Sequence, residues 1–183
     1  LPFTVLRRLE CVLEPTREAV VEERKKHKGS KIPVGPFLEK AAGFSFYNTT
    51  NLTLSRLGIN DTKADLETYV ESFSENVADI FENFNFQDVI DRLHKANILL
   101  LVAGKFAEID LHPKAVDNHQ MGLVFEELIR RFAESSNVTA GEHFTPRDIV
   151  RLTTSLVFNN DSEALTKPGV IRSVYDPTAG TGG

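Results

Sequence analysis

The sequence predicts a mainly α protein that ends in the opening elements of an α/β unit. Two observations predict it. Apolar residues recur every three or four positions through most of the first 135 residues, as helices that bury one face require. Near the C-terminus a further helical pattern over 148–158 precedes the β-branched run Val170-Ile171-Arg172-Ser173-Val174-Tyr175, which reads as a strand. The glycine-rich string Asp176-Pro177-Thr178-Ala179-Gly180-Thr181-Gly182-Gly183 comes next. Capped helix, loop, strand and glycine turn, in that order, make half of a ligand site. The chain starts at Leu1 rather than Met and stops where the next helix is due, so it reads as a piece of a longer protein.

Leu6, Leu9, Val12 and Leu13 form the apolar face of a first helix, after which Pro15 either kinks it or opens a second one over 16–27. Gly29, Pro33, Gly35 and Pro36 mark a loop, 37–42 a short helical turn, and Phe44-Ser45-Phe46-Tyr47 alternates like a short strand. From Asp61 the spacing of Leu66, Tyr69, Val70, Phe73, Val77, Ile80, Phe81 and Phe84 is helical throughout. Phe86, Val89, Ile90 and Leu93 continue the pattern, and Ile98-Leu99-Leu100-Leu101-Val102 is apolar enough for the central helix of a bundle. The phenylalanines fall at helical periods and so read as core rather than as stacking platforms for a ligand. His94 has no identifiable catalytic partner and reads as a surface or helix-end residue. Met121, Val124, Phe125, Leu128, Ile129 and Phe132 define a long amphipathic helix. The polar connector after it places a domain boundary that makes 1–137 a helical domain and 138–183 the start of a second.

The composition is that of an ordinary globular domain. The longest uncharged apolar run falls far short of the roughly 20 residues that a membrane helix needs, so no span is expected. A single cysteine, Cys11, rules out an intrachain disulfide and suits a reducing cytoplasm. Its place among Leu6, Leu9, Val12 and Leu13 marks it as a packed apolar group. The net charge is −5, but residues 1–40 hold nine Lys/Arg against six Asp/Glu, and the basic character is densest at Arg24, Lys25, Lys26, Lys28 and Lys31. Two readings stand for that segment: a solvated helix end that complements the helix dipole, or contacts to nucleic acid phosphates. No metal-ligand spacing and no catalytic pair stands out.

Thr145-Pro146-Arg147-Asp148 has the form of a helix start, with Thr as N-cap, Pro in the first turn and Asp to return the capping interaction. The string thus has a structural explanation without any ligand, yet the same geometry offers backbone N–H groups to a carboxylate or phosphate. The glycine string is the stronger signal. Gly180, Gly182 and Gly183 permit backbone approaches that a Cβ would block, and an acid at the end of a strand can bind an ammonium or hydroxyl group. No lysine follows the glycines, which excludes a P-loop; the alternative of a tight strand-to-helix turn stays open.

Taken together, Gly141-Glu142-His143-Phe144-Thr145-Pro146-Arg147 followed by the Asp176 string resembles the modification subunit of type I restriction-modification systems, a family of N6-adenine DNA methyltransferases. The likeness extends to 2–9 and 121–133. It implies a helical-bundle N-terminal domain followed by the start, helix plus first strand, of a Rossmann-like methyltransferase domain. It also implies an S-adenosyl-L-methionine site lined by Glu142, His143, Phe144, Thr145, Pro146, Arg147, Asp176, Gly180, Thr181, Gly182 and Gly183. Partners implied are double-stranded DNA, the specificity subunit and the restriction subunit, and the resemblance raises the phosphate reading of residues 24–31. The family's catalytic Asn-Pro-Pro-aromatic motif is missing, because no two prolines are adjacent, so no catalytic residue is assigned and the piece alone is expected to be inactive. A stand-alone adenine methyltransferase and a purely helical interaction module remain the alternatives.

Overall fold

Phe3, Leu6, Glu10 and Leu13 share one side of α1 (Pro2–Leu13), and all four are buried. Pro2 suits the first turn of this helix, where its missing N–H is not needed. The computed structural model describes residues 1–27, 29, 33–135, 147–161, 165–170, 173 and 175–177. Pro15 lies in a 3-10 turn (Glu14–Thr16) that leads into α2 (Arg17–Lys26); having no N–H to give, it tightens the chain there rather than extending one α-helix. The short turn expected at 37–42 is a helix of two turns, α3 (Gly35–Ala42), closed by Gly43 at φ 73°. α3 packs against α2.

Phe44-Ser45-Phe46-Tyr47 does not form the expected strand. The segment meets the chain again at one antiparallel bridge, Asn48 with Phe73, flanked by Thr49 N–H donating to Ser72 O (3.0 Å) and Ser74 N–H donating to Tyr47 O (3.0 Å). A strand needs a partner of comparable length, and here the partner is only the turn between two helices. Asn48 is buried in this junction, donating from Nδ2 to Tyr69 O at 2.9 Å while its Oδ1 accepts from the Thr50 N–H and hydroxyl.

The continuous helical pattern from Asp61 resolves into four short helices, α4 (Thr62–Glu71), α5 (Glu75–Asn83), α6 (Phe86–Lys95) and α7 (Leu99–Ala107). Asn85 (φ 48°) and Asn97 (φ 56°) make the sharp turns into α6 and α7, since asparagine accepts the left-handed conformation more readily than most residues. Before α4, Gly58 gives its N–H to Asp65 Oδ2 at 2.6 Å, and a Cβ there would stand 3.0 Å from the same oxygen. The helices enclose an aromatic string. Phe3 meets Phe86 edge-on at 5.0 Å and stacks on Phe106 at 5.3 Å; Phe86, Phe81, Phe73 and Tyr69 follow at 5.4, 5.9 and 5.5 Å. Phe3, Phe73, Phe81 and Phe86 are therefore core, with Phe106 packed against it, whereas Phe84 stays outside the cluster.

α7 is not central. Leu99 and Ala103 are buried against α1 and the 3-10 turn Leu54–Arg56, but Leu101 is 63% exposed. A helix at the edge of a bundle buries one stripe, and a run of consecutive apolar residues cannot all lie on it.

α8 (Asn118–Ser135) begins with a reciprocal cap: Gln120 N–H donates to Asp117 Oδ1 (2.8 Å) and Asp117 N–H to Gln120 Oε1 (3.0 Å). α9 (Arg147–Phe158) follows, then a 3-10 turn (Asn159–Asp161). The chain divides into two units, Leu1–Gly122 and Leu123–Gly183. The connector over 136–140 lies outside the described residues. Of the run read as a strand, Ile171, Arg172 and Val174 also lie outside them, and Val170, Ser173 and Tyr175 carry no regular secondary structure. No helix among the described residues is long and apolar enough to cross a membrane.

Candidate functional site

The two C-terminal strings bracket α9. Its first helical residue is Arg147, so the backbone N–H groups at its start are those next to the Thr145-Pro146 pair. Glu142, His143, Phe144, Thr145, Pro146, Gly180, Thr181, Gly182 and Gly183 lie outside the described residues, as does the Arg147 side chain. Asp176 is exposed, between an 87% exposed Tyr175 and an exposed Pro177. A carboxylate suits a cationic group, and a helix start suits an anionic one. A groove of about 490 Å³ on α9 is lined by Val150, Arg151, Thr154, Ser155, Phe158 and Asn159, none of which the sequence had singled out.

The basic segment is partly committed to internal contacts. Arg24 donates from Nη1 to the Thr49 hydroxyl (2.5 Å), and Lys26 pairs with Glu23 (2.8 Å). His27 bonds the same Glu23 at 3.0 Å and packs on Phe37 with the rings tilted by 31° and their centres 4.6 Å apart. Glu23 is held below the usual carboxylate range by the hydrogen bonds from Lys26 and His27. Lys25 is exposed and, among the described residues, has no bonded partner. With Arg24, His27, Val34 and Leu38 it lines a groove of about 460 Å³. Lys28 and Lys31 lie outside the described residues.

A buried polar network ties the first unit together, and the sequence reading missed it. Glu10, 3% exposed, accepts at Oε2 from Leu54 N–H (2.8 Å) and the Tyr69 hydroxyl (3.0 Å), and its Oε1 pairs with Arg7. Arg7 Nε also reaches Ile109 O at 2.8 Å. Arg8, 8% exposed, donates from Nη1 to Leu111 O (2.7 Å) and Val116 O (2.6 Å), and from Nη2 to Asn118 Oδ1 (2.8 Å). Arg8 thereby clamps the segment that leads into α8. A signal for both residues was available: Glu10 falls at helical spacing among Phe3, Leu6 and Leu13, and Arg8 lies between Thr4 and Cys11, so each charge sits where the period demands burial.

Cys11, 2% exposed, has its thiol pushed up by burial, which disfavours the thiolate a nucleophile needs. His94 is exposed in the last turn of α6. Among the described residues no group of three or more His, Cys, Asp or Glu side chains is placed to hold a metal ion.

Two family models match the chain. The HsdM N-terminal domain covers residues 1–106, and N-6 DNA Methylase covers residues 116–183. The stretch between the matches is the one that Arg7 and Arg8 grip through Ile109 and Leu111. No curated protein and no solved structure matches the chain. With 106 of its 183 residues matched and a DNA methylase segment following, the chain belongs to the HsdM N-terminal domain family, that of the modification subunits of type I restriction-modification systems.

Proposed function

We propose that the chain supplies two parts of an adenine-N6 DNA methyltransferase of a type I restriction-modification system. The helical unit contacts double-stranded DNA and the specificity subunit, in an assembly that also holds the restriction subunit in the cytoplasm. The C-terminal segment forms one wall of the S-adenosyl-L-methionine site. The observation that carries this reading is the placement of both ligand strings, in order, inside the N-6 DNA Methylase match, with a helix starting at Arg147 between them.

The cofactor supplies the methyl group; this chain supplies recognition. The start of α9 behind Thr145 and Pro146 receives the methionine carboxylate, where peptide N–H groups and the helix dipole favour a negative charge. Asp176 receives the ammonium. Phe144 covers an apolar part of the ligand, and Gly180, Gly182 and Gly183 let it lie against the backbone. Glu142, His143, Arg147 and Thr181 complete the wall.

The test measures cofactor affinity in a modification subunit that contains this sequence together with an Asn-Pro-Pro-aromatic motif. Thr145→Ala, by removing the capping hydroxyl that sets the helix start, and Asp176→Ala, by removing a charge-assisted hydrogen bond, each weaken binding about tenfold or more. Unchanged affinity in both variants refutes the assignment. The 183-residue chain, which lacks that motif, transfers no radiolabelled methyl group to DNA; a positive assay overturns this part. For residues 24–31, Lys25→Gln combined with Lys28→Gln and Lys31→Gln flattens the salt dependence of DNA affinity by about 0.9 per lost phosphate contact. An unchanged slope removes the segment from the interface.

A further inference from the structure

A second basic feature, separate from residues 24–31 and from the cofactor strings, lies where the end of α1, the start of α2, the 3-10 turn Leu54–Arg56 and the end of α7 meet. It is a cleft of about 200 Å³ with Arg7, Arg17 and Arg56 on its walls, the Thr53 and Ser55 hydroxyls beside them, and Glu10 and Glu14 as its acids. Three arginines against two glutamates leave one positive charge. Glu10 does not quench the arginines at the opening, because Arg7, Leu54 N–H and the Tyr69 hydroxyl already occupy its carboxylate.

What remains unspent faces the cleft. The Arg17 and Arg56 side chains make no hydrogen bond or ion pair among the described residues, although Arg17 is half-buried. Thr53, 6% exposed, shares one hydrogen bond with Ser55, hydroxyl to hydroxyl at 3.0 Å. One proton makes that bond, and the other hydroxyl proton is left to find a third acceptor. Two guanidinium forks and a spare hydroxyl donor around a small polar cleft match the donor demand of a tetrahedral oxyanion, which arginine meets bidentately.

We propose that this cleft is a phosphate-binding site, with Arg17 and Arg56 as the charged donors and the Thr53–Ser55 pair as the neutral one. The spacing of cations on α2 favours a phosphate within a polymer. Arg17 and Arg24 are seven residues apart on this helix, two turns or about 10.5 Å along one face, so a second guanidinium follows the one in the cleft. A nucleic-acid backbone and free phosphate share the chemistry, and the experiment separates them.

Backbone and arginine Nε–H resonances of the 183-residue chain are followed by NMR at low salt, first with inorganic phosphate and then with a DNA duplex of arbitrary sequence. Phosphate shifts the Arg17, Thr53, Ser55 and Arg56 signals. If the duplex shifts the same set, the source is nucleic acid; if phosphate alone does so, the site serves a free phosphate group. No shift at these residues with either probe overturns the proposal. Arg17→Gln with Arg56→Gln weakens phosphate binding at least tenfold without moving the thermal midpoint, since neither side chain holds the fold together. Glu14→Gln tightens binding severalfold by removing the opposing charge. Phosphate affinity unchanged in both variants also refutes the site. S-adenosylmethionine affinity is unaffected by any of these changes, so failure here and failure of the cofactor assignment are told apart.

Discussion

Replacing Arg8 by alanine tests how the first unit holds the segment that leads into α8. The side chain is 8% exposed and supplies donors to Leu111 O, Val116 O and Asn118 Oδ1 at 2.6–2.8 Å. A hydrogen bond from a charged group contributes about 1.5–3 kcal/mol, and an acceptor left buried without a partner adds its own desolvation cost. The bond to Leu111 is fully buried and the other two are partly so, which argues against counting all three in full. A loss of about 3 kcal/mol results, equivalent to more than a hundredfold in the folding constant and a fall of roughly 10 °C in Tm. Arg8→Lys keeps the charge but not the fork, so it recovers less than half of the loss. Denaturation melts give the magnitude, and limited proteolysis gives the place: cleavage within 108–118 rises before cleavage in α4 to α6. Unchanged melting together with unchanged cleavage at 108–118 would refute the view that Arg8 is the clamp.

Three further expectations follow from the same contacts. Phe86→Ala, at the junction of the aromatic string and 2% exposed, destabilises the chain by about 3–5 kcal/mol, read from urea midpoints; a loss below about 1 kcal/mol contradicts a core role. The Tyr69 phenol is pushed well above its ordinary value of 10, chiefly by burial and then by Glu10. Below that value both states keep the proton and stability is intact. As pH rises past it the unfolded chain ionises first and stability falls, and Tyr69→Phe removes about one proton from that alkaline slope. Glu127, on the surface of α8, is lowered to about 2 by the hydrogen bond from Arg130 and then Arg131. Its contribution is complete above the ordinary value of 4.5 and fades as pH drops toward 2. NMR titration therefore shows no inflection near 4.5, and Arg130→Gln moves the midpoint up.

Helix positions were legible because helices are local: Leu66, Tyr69, Phe73, Val77 and Phe81 announce themselves by a period of three and four. The breaks at Asn85 and Asn97 were not, since a left-handed residue leaves the hydrophobic period nearly intact on both sides. The order of the two C-terminal strings, both inside the N-6 DNA Methylase match, was equally legible, being a property of spacing along the chain. The Arg17–Arg56 cleft was hidden for the opposite reason: its two cations are 39 positions apart and neither belongs to a charge run.

The sequence by itself determined that this is a helical protein leading into a DNA methylase segment, because amphipathic period and motif order are written along one dimension. Tertiary structure alone decided which charges are buried and what they hold. Glu10 meets Leu54 and Tyr69 across 44 and 59 positions, and Arg8 reaches Leu111 across 103. Only the packed chain brings such partners within hydrogen-bonding distance, and only there is the cost of burying a charge offset by hydrogen bonds.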